Sequence, residues 1–310
     1  MAGEKAKKRI FKEPLNPNFG YYYTVNKTLQ KKKTKYQKIE LIDTDEFGNV
    51  LLLDNITQTV EKNDYMYHEP MVHPAMCSHP KPENVLVIGA GDGGILREVL
   101  KYPTVKNVEM AELDGEVVQF SKEYLKSVHD GSFDDPRVNL NIVDGRQFTA
   151  QRKGEFDVVI MDMTDPFGPS KMLYTKEFFK SINQSFRNRA GLFVMHSESP
   201  VSRPSAFACI HKTLGSVFGN VNAVYTYIQM YAILWSIAIS SQESNSAALK
   251  PAAVERKLKK YGIQGLKMYN GATHLSMHTP FPYISEILSA QARIITDSKP
   301  DFPDNFIDLA

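Results

Sequence analysis

A chain of 310 residues, 42% of them hydrophobic, is long enough to bury one large core together with a small accessory domain. Thirty-seven Lys and Arg against thirty-five Asp and Glu leave a formal charge of +2, so bulk electrostatics nominates neither nucleic acid nor an anionic membrane as partner. Two cysteines, Cys77 and Cys209, are too few for a disulfide framework or a thiolate metal site and fit a reducing compartment; the basic N-terminus lacks the apolar stretch of a secretory signal, so a cytoplasmic protein without a metal is expected.

In chain order, residues 1–79 read as a polar leader followed by a small β domain. Lys31, Lys32, Lys33 and Lys35 read as a solvated strand end. Within 36–60, YQKIELIDT, VLLLD and ITQTV alternate with turn residues and predict a β-meander. Pro80 and Pro82 mark the boundary to residues 80–310, where the texture changes. Buried strands NVLVIGAG, NVEMAELD, NLNIVDG, FDVVIMD and GLFVMHS alternate with predicted helices at 94–101, 116–126 and 175–187. That alternation implies an α/β fold, a parallel sheet with helices on both faces. Residues 221–241 are uncharged and long enough to cross a bilayer. Asn222, Thr226, Gln229, Ser236 and Ser240 interrupt the run, and its β-branched and aromatic content predicts two successive buried strands instead, with no membrane as partner.

The loop Gly89-Ala90-Gly91-Asp92-Gly93-Gly94 follows a strand and opens a helix, at the sheet end where ligands bind. Such a glycine pattern is weak alone. Glu112 ends the next strand, where an acidic side chain can accept from ribose hydroxyls. Asp92 discriminates: it would repel a pyrophosphate but attract the cationic amine tail of a sulfonium nucleoside, unless it is only a helix cap. Asp144 ends the third strand and reads as a partner for an adenine amine or as an ordinary turn residue. The fourth strand runs into Asp162-Met163-Thr164-Asp165-Pro166, two carboxylates in a rigid loop. Alkylating an amine needs such a pair, because the amine is protonated at neutral pH and must lose a proton before attack. Asp162 is the candidate proton acceptor and Asp165 the candidate holder of the amine; a turn aspartate and a cap are the plainer alternative.

The words YQKIEL, FGNVLLLD, VEKNDYMYHE, HPAMCSHPKPENVLVIGAGDGGILREVLKYP, AELD, VDGRQF and DMTDPFGPS, in this order, resemble the spermidine synthase family across roughly residues 34–285. The resemblance implies a β-stranded N-terminal domain followed by a Rossmann-like methyltransferase-type domain, assembled as a homodimer or homotetramer. It implies transfer of the aminopropyl group of decarboxylated S-adenosylmethionine, a co-substrate rather than a cofactor, to a polyamine. Putrescine is the first candidate; agmatine, cadaverine or a triamine are others, and methylthioadenosine is released. It places Gln37 and His68 near the donor's tail, Asp92 on its amine, Glu112 on its ribose and Asp144 on its adenine. Asp162 falls on the catalytic aspartate and Asp165 on the acceptor-side one, while Tyr67 and Tyr231 orient the attacking amine. For Gln37, Tyr67, His68 and Tyr231 the residues alone suggest only core packing.

The chain departs from the family pattern on the acceptor side. A Pro- and Gly-containing segment around Tyr231 is replaced by Ile228-Gln229-Met230-Tyr231-Ala232-Ile233-Leu234-Trp235, Met163 stands where a small hydroxyl residue is common, and His196 stands where Gln is frequent. Gln229 and His196 become candidates to meet the far end of a longer amine. Two rival functions share the glycine loop: an S-adenosylmethionine-dependent amine N-methyltransferase, and a catalytically inactive protein that binds polyamine or nucleoside.

Overall fold

The computed structural model describes residues 8–166 and 168–303. It opens with an antiparallel hairpin, β1 (Arg9–Asn16) and β2 (Phe19–Val25), in the segment read as a polar leader. Along β1, Phe11, Glu13 and Leu15 face inward, and a glutamate on the inner face weakens the alternation that would have marked a strand. The expected meander follows as an antiparallel sheet in the order β3 (Lys27–Lys33), β4 (Lys38–Thr44), β5 (Gly48–Leu53), β6 (Ile56–Val60). Lys31, Lys32 and Lys33 lie on the edge strand β3, where exposed charges discourage further strand pairing, and Lys35 lies just beyond it.

The second sheet has seven strands. Five are parallel: β7 (Asn84–Gly89), β8 (Asn107–Glu112), β9 (Val138–Ile142), β10 (Val158–Asp162) and β11 (Leu192–His196). Residues 221–241 are indeed two strands, β12 (Asn220–Ile228) and β13 (Ile233–Ser241), paired antiparallel and added to β11 through β13. Among the described residues no helix is long and apolar enough to cross a membrane. The order β12-β13-β11-β10-β7-β8-β9, with helices on both faces, is the Rossmann-like α/β arrangement expected from the sequence. Its central strands are apolar throughout because both faces are covered.

Helix Tyr65–Ser78, counted with residues 1–79 in the sequence reading, packs on the large sheet against β10, β11 and β12 and on helix Gly94–Leu100. It is buried along most of its length, so no amphipathic stripe advertises it.

The chain reverses its order of addition between β7 and β10, and ligands of open α/β sheets bind at the carboxyl ends of strands flanking such a point. Gly89 and Asp162 end these two strands side by side. A Cβ on Gly89 would lie 2.1 Å from the Asp162 carbonyl oxygen, and the residue has a φ of +80°, so only glycine lets the two strand ends close together.

Candidate active site

A cavity of about 670 Å³ opens over these strand ends and is roofed by the N-terminal strands. Gln37, Tyr67, Asp92, Glu112, Asp162, Asp165 and Tyr231 all line it, so seven of the residues singled out above converge although they are spread over nearly two hundred positions.

On one side, Asp92 accepts from the Gly94 N–H at 2.9 Å through Oδ1 and faces His68 Nε2 at 3.4 Å through Oδ2. One oxygen thus serves the helix start and the other faces a cation of the protein itself. His68 does not line the cavity but stands behind Asp92, its Nδ1 3.0 Å from Asp64, which also pairs with Arg97 at 2.7 Å. Burial alone would neutralise this imidazole, yet Asp92 and Asp64 raise its pKa to about 10; burial likewise opposes ionisation of Asp92, and His68 overrides it, holding the carboxyl at about 2. A Cβ on Gly94 would lie 2.2 Å from His68 Cε1, so the glycine makes room for the imidazole.

Glu112 ends β8 and accepts from the Asp114 N–H at 2.8 Å. Burial pushes its carboxyl up to about 7. Gln37 and Thr34, from the connection between β3 and β4, donate to Asp114 at 3.1 and 2.7 Å, so Gln37 fixes the turn that carries Glu112. Asp144 lies outside the cavity: it is exposed and caps helix Gly145–Ala150 through Oδ1, which accepts from Arg146 and Gln147 N–H. The exposed apolar side chains of Ile142 and Val143 precede it, and Leu113 lines the cavity nearby in the chain fold.

On the other side, the Tyr67 hydroxyl donates to Asp162 Oδ1 at 2.5 Å. Burial, then the charge of Asp92, raises the Asp162 carboxyl to about 6, with the Tyr67 bond pulling the other way. Tyr231 sets its ring 5.9 Å from Tyr67 and 5.0 Å from Trp235. Asp165 is not a lone anion: Arg203 donates to it at 3.1 Å, to the buried Glu198 at 3.4 Å and to the Leu15 carbonyl at 3.2 Å. His196 donates from Nε2 to the Met163 carbonyl at 2.8 Å, which leaves Nδ1 as a buried acceptor with no protein partner among the described residues; burial keeps the ring neutral.

Sequence reasoning missed Glu13 and Arg203. Glu13 lines the cavity from β1, accepts from Thr57 N–H at 3.0 Å and Thr57 hydroxyl at 2.5 Å, and is pushed by burial up to about 7. Its signal was the placement of a charge in phase with Phe11 and Leu15. Arg203 has no local signal. Gln229 corrects an expectation: it does not line the cavity, because its amide is occupied by Asn63 and Glu46 outside it.

Comparison with known proteins identifies the family. Residues 64–251 match the family described as the spermine/spermidine synthase domain, and residues 10–61 match the spermidine synthase tetramerisation domain. A polyamine aminopropyltransferase of Nitrosomonas europaea is 36% identical over 285 residues, covering 92% of this chain and 87% of that protein. One from Sulfurisphaera tokodaii is 36% identical over 280 residues, covering 90% and 92%. A crystal structure of spermidine synthase in complex with the transition state analogue AdoDATO superposes with a TM-score of 0.85 at 31% identity, over 93% of this chain and 98% of that one. On the family match, the similarity to relatives over most of the chain and the shared fold, the chain belongs to the spermine/spermidine synthase family of aminopropyltransferases.

Proposed function

We propose that the protein moves the aminopropyl group of decarboxylated S-adenosylmethionine to a primary amine of a di- or polyamine, putrescine first, and releases methylthioadenosine. The observation that carries this reading is the pairing, in one cavity, of an ionised Asp92 on the glycine loop with an Asp162 whose carboxyl is held at about 6. The ammonium gives a proton to Asp162, the nitrogen lone pair so freed attacks the propyl carbon next to the sulfonium, and the C–S bond electrons return to sulfur as a neutral thioether. A base tuned near the working pH is well suited to that transfer. Tyr67 and Tyr231 wall the amine in, Asp165 meets it from the Arg203 side, and Glu13 offers a cationic far end an acidic partner.

Asp92 takes the donor's amine, with His68 and Asp64 fixing its position, and Glu112 takes the ribose hydroxyls beside Gln37. The exposed apolar edge at Ile142 and Val143 suits a purine, and Asp144 Oδ2, the oxygen not used by the cap, is the one to meet its exocyclic amine. A carboxylated donor would bring its carboxylate against Asp92, which speaks against the methyltransferase alternative. We place the reaction in the cytoplasm, in keeping with two buried free cysteines. The tetramerisation-domain match supports a homo-oligomer, dimer or tetramer, which sedimentation would size.

The test is product analysis with each donor and a panel of putrescine, cadaverine, agmatine and triamines. Methylthioadenosine with an aminopropylated amine supports the reading; S-adenosylhomocysteine turns it into a methyltransferase, and no product with retained binding turns it into a regulatory protein.

A further inference from the structure

Tyr231 sits in a short 3-10 turn, Gln229–Tyr231, between β12 and β13. The turn ends at Ala232, which adopts a φ of +53° and donates its N–H to the Gln229 carbonyl at 3.0 Å. It lacks the Pro that would stiffen such a turn by backbone chemistry and the Gly that would take the left-handed position without strain. Side chains anchor it instead. The Gln229 side chain accepts from Asn63 Nδ2 at 2.7 Å and donates to Glu46 Oε1 at 2.6 Å. Glu46 belongs to the turn between β4 and β5, and Asn63 leads into the helix that carries Tyr67. One amide thus joins the N-terminal sheet, the approach to Tyr67 and the turn of Tyr231. Only a group that donates and accepts at once can do this, which excludes a carboxylate or an ammonium. Asn63 itself has a φ of +67°, a conformation asparagine tolerates better than most residues, so its identity suits both backbone and bond.

We infer that Gln229 is a positioning residue: clamped by Asn63 and Glu46, it sets Tyr231 against Tyr67 and Trp235, so that the N-terminal sheet holds the amine side of the cavity in shape. The inference rests on the proposed function for the meaning of Tyr231, but not for its detection, because Trp235 is the chain's only tryptophan and lies 5.0 Å from the Tyr231 ring.

The experiment is a polarity swap. Gln229→Glu removes the donor and sets a second carboxylate against Glu46. It should raise acrylamide quenching of Trp235 and raise the amine KM about tenfold while donor Kd stays unchanged, the size expected for one lost hydrogen bond. Adding Glu46→Gln supplies an amide that donates to the new carboxylate, and should return both readouts to within about twofold of the parent, the signature of a direct pairwise coupling. Gln229→Ala should resemble Gln229→Glu but resist rescue by Glu46→Gln. Unchanged quenching in both single variants, or a Gln229→Glu defect that Glu46→Gln does not reverse, would overturn the clamp. The quenching cycle needs no turnover: if the parent protein transfers no aminopropyl group, the proposed reaction fails while the clamp is still decided.

Discussion

The two sides of the cavity are built on different principles. On the Asp92 side, charge is balanced within a tight group: Asp64, His68, Asp92 and Arg97 share protons and ion pairs, and each comes from one of two adjoining elements. On the Asp165 side, Asp165 shares Arg203 with Glu198, His196 presents an Nδ1 without a partner among the described residues, and Tyr231 rides on a turn held from outside. A saturated charge network resists change because removing any member leaves another buried and uncompensated. A wall assembled from separate loops can alter its lining without disturbing that network. The contrast is in keeping with the expectation drawn from the resemblance, that the residues assigned to the donor follow the family pattern while those assigned to the amine depart from it.

Four measurements would break or sharpen that contrast. The largest effect belongs to Asp162, which stands where the two sides meet. Asp162→Asn keeps the shape but takes no proton, so turnover should fall by about 10²- to 10⁴-fold with donor binding nearly unchanged, as seen by calorimetry and steady-state kinetics. Turnover within a few-fold of the parent would mean the proton leaves by another route.

Next in size is the donor's own charge. S-adenosylmethionine should bind roughly a hundredfold more weakly than its decarboxylated form, because its carboxylate would face Asp92. Equal affinities in a competition assay would show that the Asp92 side is not selective in the way its charges suggest.

The third effect is a displacement in pH. Asp162 must be ionised to act, so kcat/KM, which reports the free enzyme, should rise with pH through a limb at about 6. The Tyr67 hydroxyl favours the ionised form, so Tyr67→Phe should move the limb to higher pH. A limb that stays in place, or moves down, would remove Asp162 from the role. The stability linked to the Asp92–His68 pair runs differently: His68 has its pKa raised, so its contribution is complete below about 6.5 and is lost as pH rises through about 10, while that of Asp92 is lost only as pH falls below the usual carboxylate range toward about 2.

The smallest effect concerns the amine wall's backbone. Ala232 at φ +53° carries a left-handed conformation that glycine adopts without strain. Ala232→Gly should leave donor binding untouched and stabilise the chain by about 0.5 kcal/mol in urea unfolding, the strain relief being partly offset by glycine's greater freedom when unfolded. A loss of stability would show that the turn is not strained there.

How much of this could be read along the chain follows the distance over which each feature is encoded. Strand alternation, the glycine loop, and carboxylates at strand ends are local, since a period of two and a position at the end of an apolar run need only a few neighbouring residues. That is why the parallel sheet, the meander, and the placing of Asp92, Glu112 and Asp162 around one cavity were legible. Helix Tyr65–Ser78 was not, because burial on nearly every side erases its stripe. Only the tertiary structure could show that Asp165 pairs with Arg203, 38 positions on, that Glu13 reaches the cavity from the first strand, or that Gln229 is engaged by residues 166 and 183 positions away. Hydrogen-bond and ion-pair partners carry no spacing rule of their own: once the sheets bring the elements together, distance and desolvation choose among the polar groups within reach. Sequence determined which groups could do chemistry, and packing determined which of them are free to do it.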